Sequence, residues 1–141
     1  GIIDLTCGIS DKLPPRSAIQ RAESLGVPLE NITISSDGYG SWSRYDKNGD
    51  LIEIGVSEVK TIYEEFKKMV LDLDFGIEKA LKFTTSNVSK ALSLYPKKGT
   101  IKEGSDADVL IVDDKLEIES VIANGNLMMD KGKILIKGTY E

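Results

Sequence analysis

The chain has no histidine among its 141 residues. That absence removes a Ser-His-Asp triad, a Cys-His pair and any histidine-ligated zinc site built from this chain alone. Cysteine is almost as scarce. Cys7 is the only one, so no internal disulfide can form, and a reduced, cytoplasmic setting is the expectation. With no histidine to activate it, Cys7 reads as a small buried apolar residue rather than a nucleophile. No run of Lys or Arg exceeds two and the net charge is −5, which leaves nucleic acid and membrane surfaces without an electrostatic footprint. No apolar stretch approaches the ~20 residues of a spanning helix, and no signal peptide is visible. What is present, 40% hydrophobic and 29% charged residues, is ordinary globular composition, long enough for one domain or pieces of two. The run "GIIDLT" is already strand-like at residue 1, with no Met and no lead-in. It reads as the start of a piece of a longer protein, cut between elements.

Residues 1–7 read as a buried strand. Pro14-Pro15 opens a helix in which Ala18, Ile19, Ala22 and Leu25 recur at helical spacing, with Gly26 where a C-terminal cap belongs. Residues 31–37 form a second strand, and strand, helix, strand at this spacing predicts a right-handed parallel unit. "RYDKNGDLIEIG" at 44–55 reads as a hairpin turning at Asn48-Gly49. It fails as a calcium loop, since the glycine falls at the wrong loop position and Ser57 stands where the closing Glu belongs. Ser57 is placed to cap a long helix through Leu73, striped by Val59, Ile62, Phe66, Met69, Val70 and Leu73. Residues 76–82 make a short helix, and the hydroxyls of Thr84, Thr85 and Ser86 are placed to cap another through Leu94, ended by Pro96. Beyond Pro96, strands at about 108–112, 117–123, 126–129 and 133–137 predict a small antiparallel β module. The boundary falls near 95–99.

The stretch "NITISSDGYGSW" at 31–42 poses the functional question. Side-chain alternation sends Ile32 and Ile34 one way and Thr33, Ser35 and Asp37 the other. Asp37-Gly38 after alternating residues is a common turn signal. The same pair also suits a catalytic carboxylate at the carboxyl end of a barrel strand, with Gly38 and Gly40 letting a ligand approach the backbone.

Two stretches carry a resemblance. "TTSNVSKALSLYPKKGTIKEG" and "KGTIKEGSDADVLIVD" resemble the last helix and the turn-and-strand of amidohydrolase-superfamily enzymes. Their visible content is structural: Gly104 for the turn, Ala107 for close packing, Asp106 and Asp108 bonding local backbone. More narrowly, "GIIDLT", "VPLENITISSDGYGS", "DKNGDLIEIGV", "FGIEKALKFTTSNVSKAL" and "DKGKILIKGTYE" resemble, in order and spacing, the carboxyl-terminal part of the isoaspartyl (β-aspartyl) dipeptidase family.

The resemblance implies an α/β fold. Residues 1–95 would be the last two β/α units of a (β/α)8 metal-dependent hydrolase barrel. Residues 96–141 would be the carboxyl-terminal part of a small antiparallel β-sandwich. It implies hydrolysis of β-aspartyl dipeptides by metal-activated hydroxide at two zinc ions, held by histidines, a carboxylated lysine and one aspartate at the end of the eighth strand. That aspartate matches Asp37, implied to bind one zinc, accept the proton of the attacking hydroxide and pass it to the leaving amine. A substrate-binding serine of the family matches Ser41; Tyr39 stands where members vary. The histidines and the lysine would lie upstream of residue 1, so this chain alone is expected to hold no zinc and to be inactive. Its implied partners are that amino-terminal part, the dipeptide substrate and further copies in a homo-oligomer. Two alternatives stay open: another amidohydrolase acting on a cyclic amide or an N-acyl group, and a non-catalytic scaffold half.

Overall fold

The structure is a computed structural model that describes residues 1–8 and 13–138. The last three residues of the "DKGKILIKGTYE" motif lie outside the described residues. The fold is α/β. Strand β1 (Ile3–Thr6) pairs in parallel with β2 (Ile32–Ser35), Ile3 opposite Ile32 and Thr6 opposite Ser35. Helix α1 (Pro15–Ser24) lies between them in sequence, followed by a 3₁₀ turn at Leu29–Asn31. Pro15 occupies the first helical position, where a missing N–H leaves nothing unpaired. Gly26 follows the helix at φ +70, the left-handed conformation of a helix C-terminus.

Helix α2 (Thr61–Leu71) lays Phe66 and Met69 into a core shared with Cys7, Ile19, Ile32, Ile34 and Phe83. The alternation within β2 therefore holds for the two isoleucines. The core also takes Leu116, which follows β5 (Val109–Val112) and whose carbonyl accepts the Tyr63 hydroxyl at 2.8 Å. Buried Glu65 of α2 reaches the first turn of α1. Its Oε1 accepts the Arg16 backbone N–H and its Oε2 the guanidinium, both at 2.7 Å. A carboxylate placed there satisfies an otherwise orphaned helix donor and sits at the positive end of the helix dipole.

Several expectations need correction. The first strand is not buried, since Ile2 and Ile3 are 54% and 50% exposed. Among the described residues it has one strand neighbour, and Leu5 is the strand residue that packs on the core. Ser57 does not cap α2; its N–H donates to the Gly40 carbonyl, and the helix starts four residues later. Val59 correspondingly falls off the apolar stripe and is half exposed. The Thr84 and Thr85 hydroxyls donate back to the Leu81 carbonyl at the end of α3 (Ile77–Lys82) instead of capping α4 (Ser86–Ala91). Helix α4 stops at Ala91, because the Leu94 and Tyr95 N–H groups fold back onto the Ser89 carbonyl.

The hairpin is longer than its turn signal suggested. Strand β3 (Ser41–Tyr45) pairs antiparallel with β4 (Leu51–Val56), Ser41 opposite Val56. Asp46 organises the tip. One carboxylate oxygen accepts the Asn48 and Asp50 N–H groups, which holds its carboxyl below the usual carboxylate range. The remaining strands form one antiparallel sheet in the order β5, β6 (Ile118–Ala123), β7 (Asn126–Asp130), β8 (Lys133–Ile134). Strand β8 stops short of 137, the Leu135 and Ile136 N–H groups both turning to the Met128 carbonyl. Asp106 and Asp108 clasp Lys98 at 3.0 and 2.5 Å, and Asp108 also accepts the Asn124 N–H at 2.7 Å. They are structural ties, though reaching beyond local backbone.

Candidate active site

Strand β2 ends at Ser35, and Asp37 lies two residues past its carboxyl end. At φ 49 it is in the left-handed region and has left the strand's alternation, so the parity argument reaches only to Ser35. Asp and Asn tolerate this region better than most side chains. The Gly40 N–H donates to the Asp37 carbonyl at 2.8 Å, closing a tight turn through Gly38 and Tyr39. Tyr39, at φ 65, donates its N–H to the Ser57 carbonyl, and Ser57 returns its N–H to Gly40, both at 2.9 Å. The loop is thus sewn to the closing end of the hairpin by backbone alone.

The two glycines have separate steric roles. A Cβ on Gly40 would stand 2.5 Å from Asp37 Oδ2 and 2.7 Å from Oδ1. The carboxylate therefore lies against the bare Cα of Gly40. A Cβ on Gly38 would instead meet Val59 Cγ2 at 2.7 Å. Asp37 is exposed, and its carboxylate makes no hydrogen bond or ion pair among the described residues. Ser41 follows directly as the first residue of β3. Its hydroxyl is exposed and likewise has no partner among the described residues. The structure places Asp37 at the start of one tight turn and Ser41 directly after its end, both side chains exposed.

Two polar residues near β2, Asp4 and Asn87, escaped the sequence reading. Asp4 on β1 accepts the Thr33 hydroxyl on Oδ1 and the Ser35 hydroxyl on Oδ2, each at 2.6 Å. This triplet lines the polar face of the strand pair below Asp37. A lone acid inside the apolar run "GIIDLT" was the available signal. Asn87, 3% exposed, binds the 3₁₀ turn and β2 from the other side, and no pattern in the sequence marked it. Cys7 is buried, and its thiol is pushed up to about 12, first by desolvation and then by the Glu65 and Asp4 charges. That makes it a poor nucleophile and a poor metal ligand.

A metal would find one exposed carboxylate here. Among the described residues no group of three His, Cys, Asp or Glu side chains is gathered tightly enough to hold an ion. Asp37 could supply a metal with one carboxylate ligand and no more. Among the described residues no helix is long and apolar enough to cross a membrane.

Residues 10–129 match the amidohydrolase family. The crystal structure of a β-aspartyl dipeptidase from Fervidobacterium islandicum AW-1, in complex with β-Asp-Leu dipeptide, superposes with a TM-score of 0.86 at 34% identity, covering 99% of this chain and 36% of that one. N-acetylglucosamine-6-phosphate deacetylase from Pasteurella multocida shares the fold, with a TM-score of 0.67 at 18% identity over 92% of this chain and 37% of that one. Imidazolonepropionase from Thermoplasma volcanium is 43% identical over a stretch covering 40% of this chain and 17% of that protein. The chain spans about a third of the length of these solved structures and less than a fifth of that curated relative.

Proposed function

The chain belongs to the amidohydrolase family, and from that premise we propose that it is the carboxyl-terminal part of a zinc-dependent isoaspartyl dipeptidase. The observation that carries the reading is the likeness, over 99% of the chain, to a β-aspartyl dipeptidase. In this reading β1 and β2 are the last two strands of a (β/α)8 barrel, residues 1–95 belong to that barrel, and residues 96–141 to a small β domain. The likeness to imidazolonepropionase, a different amidohydrolase, covers less than half of the chain, so a cyclic-amide hydrolase is the second reading.

Asp37 would supply one carboxylate ligand of the metal centre. Zinc, when bound, makes a water acidic enough to attack an amide near neutral pH. One Asp37 carboxylate oxygen accepts the proton of the attacking water and returns it to the departing amine nitrogen. A carboxylate suits both tasks, since its basicity is low enough to release the proton again. The turn closed by Gly40 and Ser57 holds the Asp37 backbone in place, and among the described residues no side-chain hydrogen bond competes for the carboxylate's lone pairs. Ser41, at the far end of the same turn, donates its hydroxyl to a polar group of the substrate.

The test uses the protein with its upstream sequence and, beside it, residues 1–141 alone. The longer protein is expected to cleave a β-aspartyl dipeptide, to spare its α-linked isomer, and to carry about two zinc ions, the count the family resemblance implies. Residues 1–141 alone are expected to do neither. Cleavage of a cyclic amide in place of the dipeptide would move the assignment to the second reading. Stoichiometric zinc on the short chain would refute the division of ligands.

A further inference from the structure

The edge of β2 that faces away from β1 is occupied by Phe83, which closes α3, and by Asn87 of α4. The Ile34 N–H donates to the Phe83 carbonyl at 3.0 Å. The Asn87 amide nitrogen donates to the Ile32 carbonyl and to the Leu29 carbonyl, both at 2.9 Å. Strand β2 is therefore held on both sides. On one lies the ladder to β1, which continues past its end as Cys7 N–H to Ser35 carbonyl at 2.8 Å. On the other are a main-chain carbonyl and one side chain. Together these bonds engage one donor and one acceptor of that edge.

The chemistry at Asn87 is restrictive. Both partners are carbonyl oxygens, which only accept. Two hydrogens on one nitrogen are needed to serve both, and the position is 3% exposed, so water cannot substitute. Serine offers one donor and an ionised aspartate none. Phe83, 1% exposed, and Asn87 are buried at the foot of the strand whose head carries Asp37. Asp37 is three residues beyond Ile34, in the turn that follows the strand, and that turn is tied by backbone only to the hairpin. A shift of β2 along its axis would be passed on to the carboxylate nearly undiminished.

We propose that Asn87 is a positioning residue for Asp37. Its amide, together with the Phe83 carbonyl, fixes β2 from the edge opposite β1 and so sets where the strand delivers the carboxylate. The inference deepens the dipeptidase reading and rests on it for its kinetic arm. Its structural arm, hydrogen exchange at the Ile34 and Gly40 N–H groups, does not.

The experiment compares Asn87→Asp, Asn87→Ser and the core variant Met69→Ala with wild type, in the protein carrying its upstream sequence and below every melting temperature. Asn87→Asp is expected to lower kcat on a β-aspartyl dipeptide by roughly 10- to 100-fold with KM within about threefold, as a carboxylate misplaced by about 1 Å would. The variant-to-wild-type ratio should rise as pH falls, because the protonated carboxyl regains one donor. Asn87→Ser, with one donor, should lose less and should fold if the aspartate does not. Met69→Ala should lose stability and keep kcat. Exchange at Ile34 and Gly40 should quicken in the Asn87 variants only. Unchanged kcat, or equal kcat losses in Met69→Ala and Asn87→Asp, would overturn the proposal. If wild type fails to cleave the dipeptide, the dipeptidase reading falls, and exchange alone decides: unchanged protection at Ile34 and Gly40 removes Asn87 from the positioning of Asp37, and lost protection keeps it there.

Discussion

Replacing Gly40 by alanine should separate catalysis from stability more cleanly than any other change in this loop. The new Cβ would stand 2.5 Å from Asp37 Oδ2, 2.6 Å from Cγ and 2.7 Å from Oδ1. Non-bonded carbon and oxygen need nearer 3.4 Å, so the carboxylate must retreat by roughly 1 Å. The retreat is easy, since one rotation about the Asp37 side chain achieves it at a cost of about 0.5–1.5 kcal/mol. Gly40 is not among the glycines with positive φ, so its backbone accepts an alanine. The reduced entropy of the unfolded chain returns about 0.4–1 kcal/mol. The two terms nearly cancel, and the melting temperature should stay within a few degrees of wild type. Catalysis has no such compensation. A reacting group displaced by about 1 Å loses on the order of 10²-fold in rate. The assay is steady-state hydrolysis of a β-aspartyl dipeptide by the protein with its upstream sequence, with melting curves in parallel. Gly38→Ala is the control, because its Cβ would press on Val59, which is 52% exposed and can swing away, so kcat should fall only a few-fold. A Gly40→Ala protein with wild-type kcat would show that the carboxylate does not react from the place where the turn holds it. Equal losses in both variants would point to general loop distortion instead.

Asp37→Asn keeps the shape and tolerates the φ of 49, whereas alanine would add backbone strain, so the asparagine variant is the sharper test. Its kcat should fall roughly 10²–10⁴-fold with a smaller change in KM, and activity within a few-fold of wild type would make Asp37 a turn residue only. Ser41→Ala should raise KM by one to two orders of magnitude at nearly constant kcat, the value of about 1.5–3 kcal/mol for a hydrogen bond to a charged group. Unchanged kinetics, or a loss of zinc, would each break the proposed division of labour between Ser41 and Asp37. Cys7, pushed up to about 12 chiefly by burial, should resist iodoacetamide at pH 8 in the folded protein and label rapidly in urea, followed at the peptide level by mass spectrometry. Its folded value lies above the ordinary 9.0, so the stability tied to it is whole below pH 9 and drains away as pH rises toward 12. Rapid labelling of the folded protein would contradict the burial of Cys7.

What could be read in the sequence was whatever rests on local chemistry. Pro15 and Gly26 mark the ends of α1, Ile32 and Ile34 face the helices, and the runs after Pro96 become strands. Each follows from a residue's own backbone preference or from alternation. The failures share a different cause. Ser57, Thr84 and Thr85 are good helix caps by residue type, but a serine whose main chain is held four residues before the helix, or a threonine whose side chain turns back to the preceding helix, does not reach the orphan donors. Ser57 was claimed by Gly40 and the two threonines by Leu81. Glu65 and Asn87 were invisible for the converse reason. Their partners lie 49 to 58 positions away, so no spacing announces them. The first strand looked buried because it is apolar, yet apolarity does not supply the neighbour that would cover it.

The site divides along the same line, which explains why a motif as short as "SSDGYGS" could be informative. The side chains of Asp37 and Ser41 make no hydrogen bond or ion pair among the described residues. Their geometry is written in backbone: a left-handed Asp37, a Gly40 without a Cβ, and three N–H to carbonyl bonds joining Asp37, Tyr39, Gly40 and Ser57. Backbone of this kind is specified within a few residues, so it survives in a short quoted stretch. What the stretch does not contain is the height of the turn above the core. That is set by the foot of β2, where Asn87 and Phe83 hold one edge and β1 the other. The shape of the turn is local and the placement of the turn is not. A change inside the turn should therefore alter kcat without unsettling the fold, while a change at the foot of β2 should alter both kcat and the exchange of the strand that carries it.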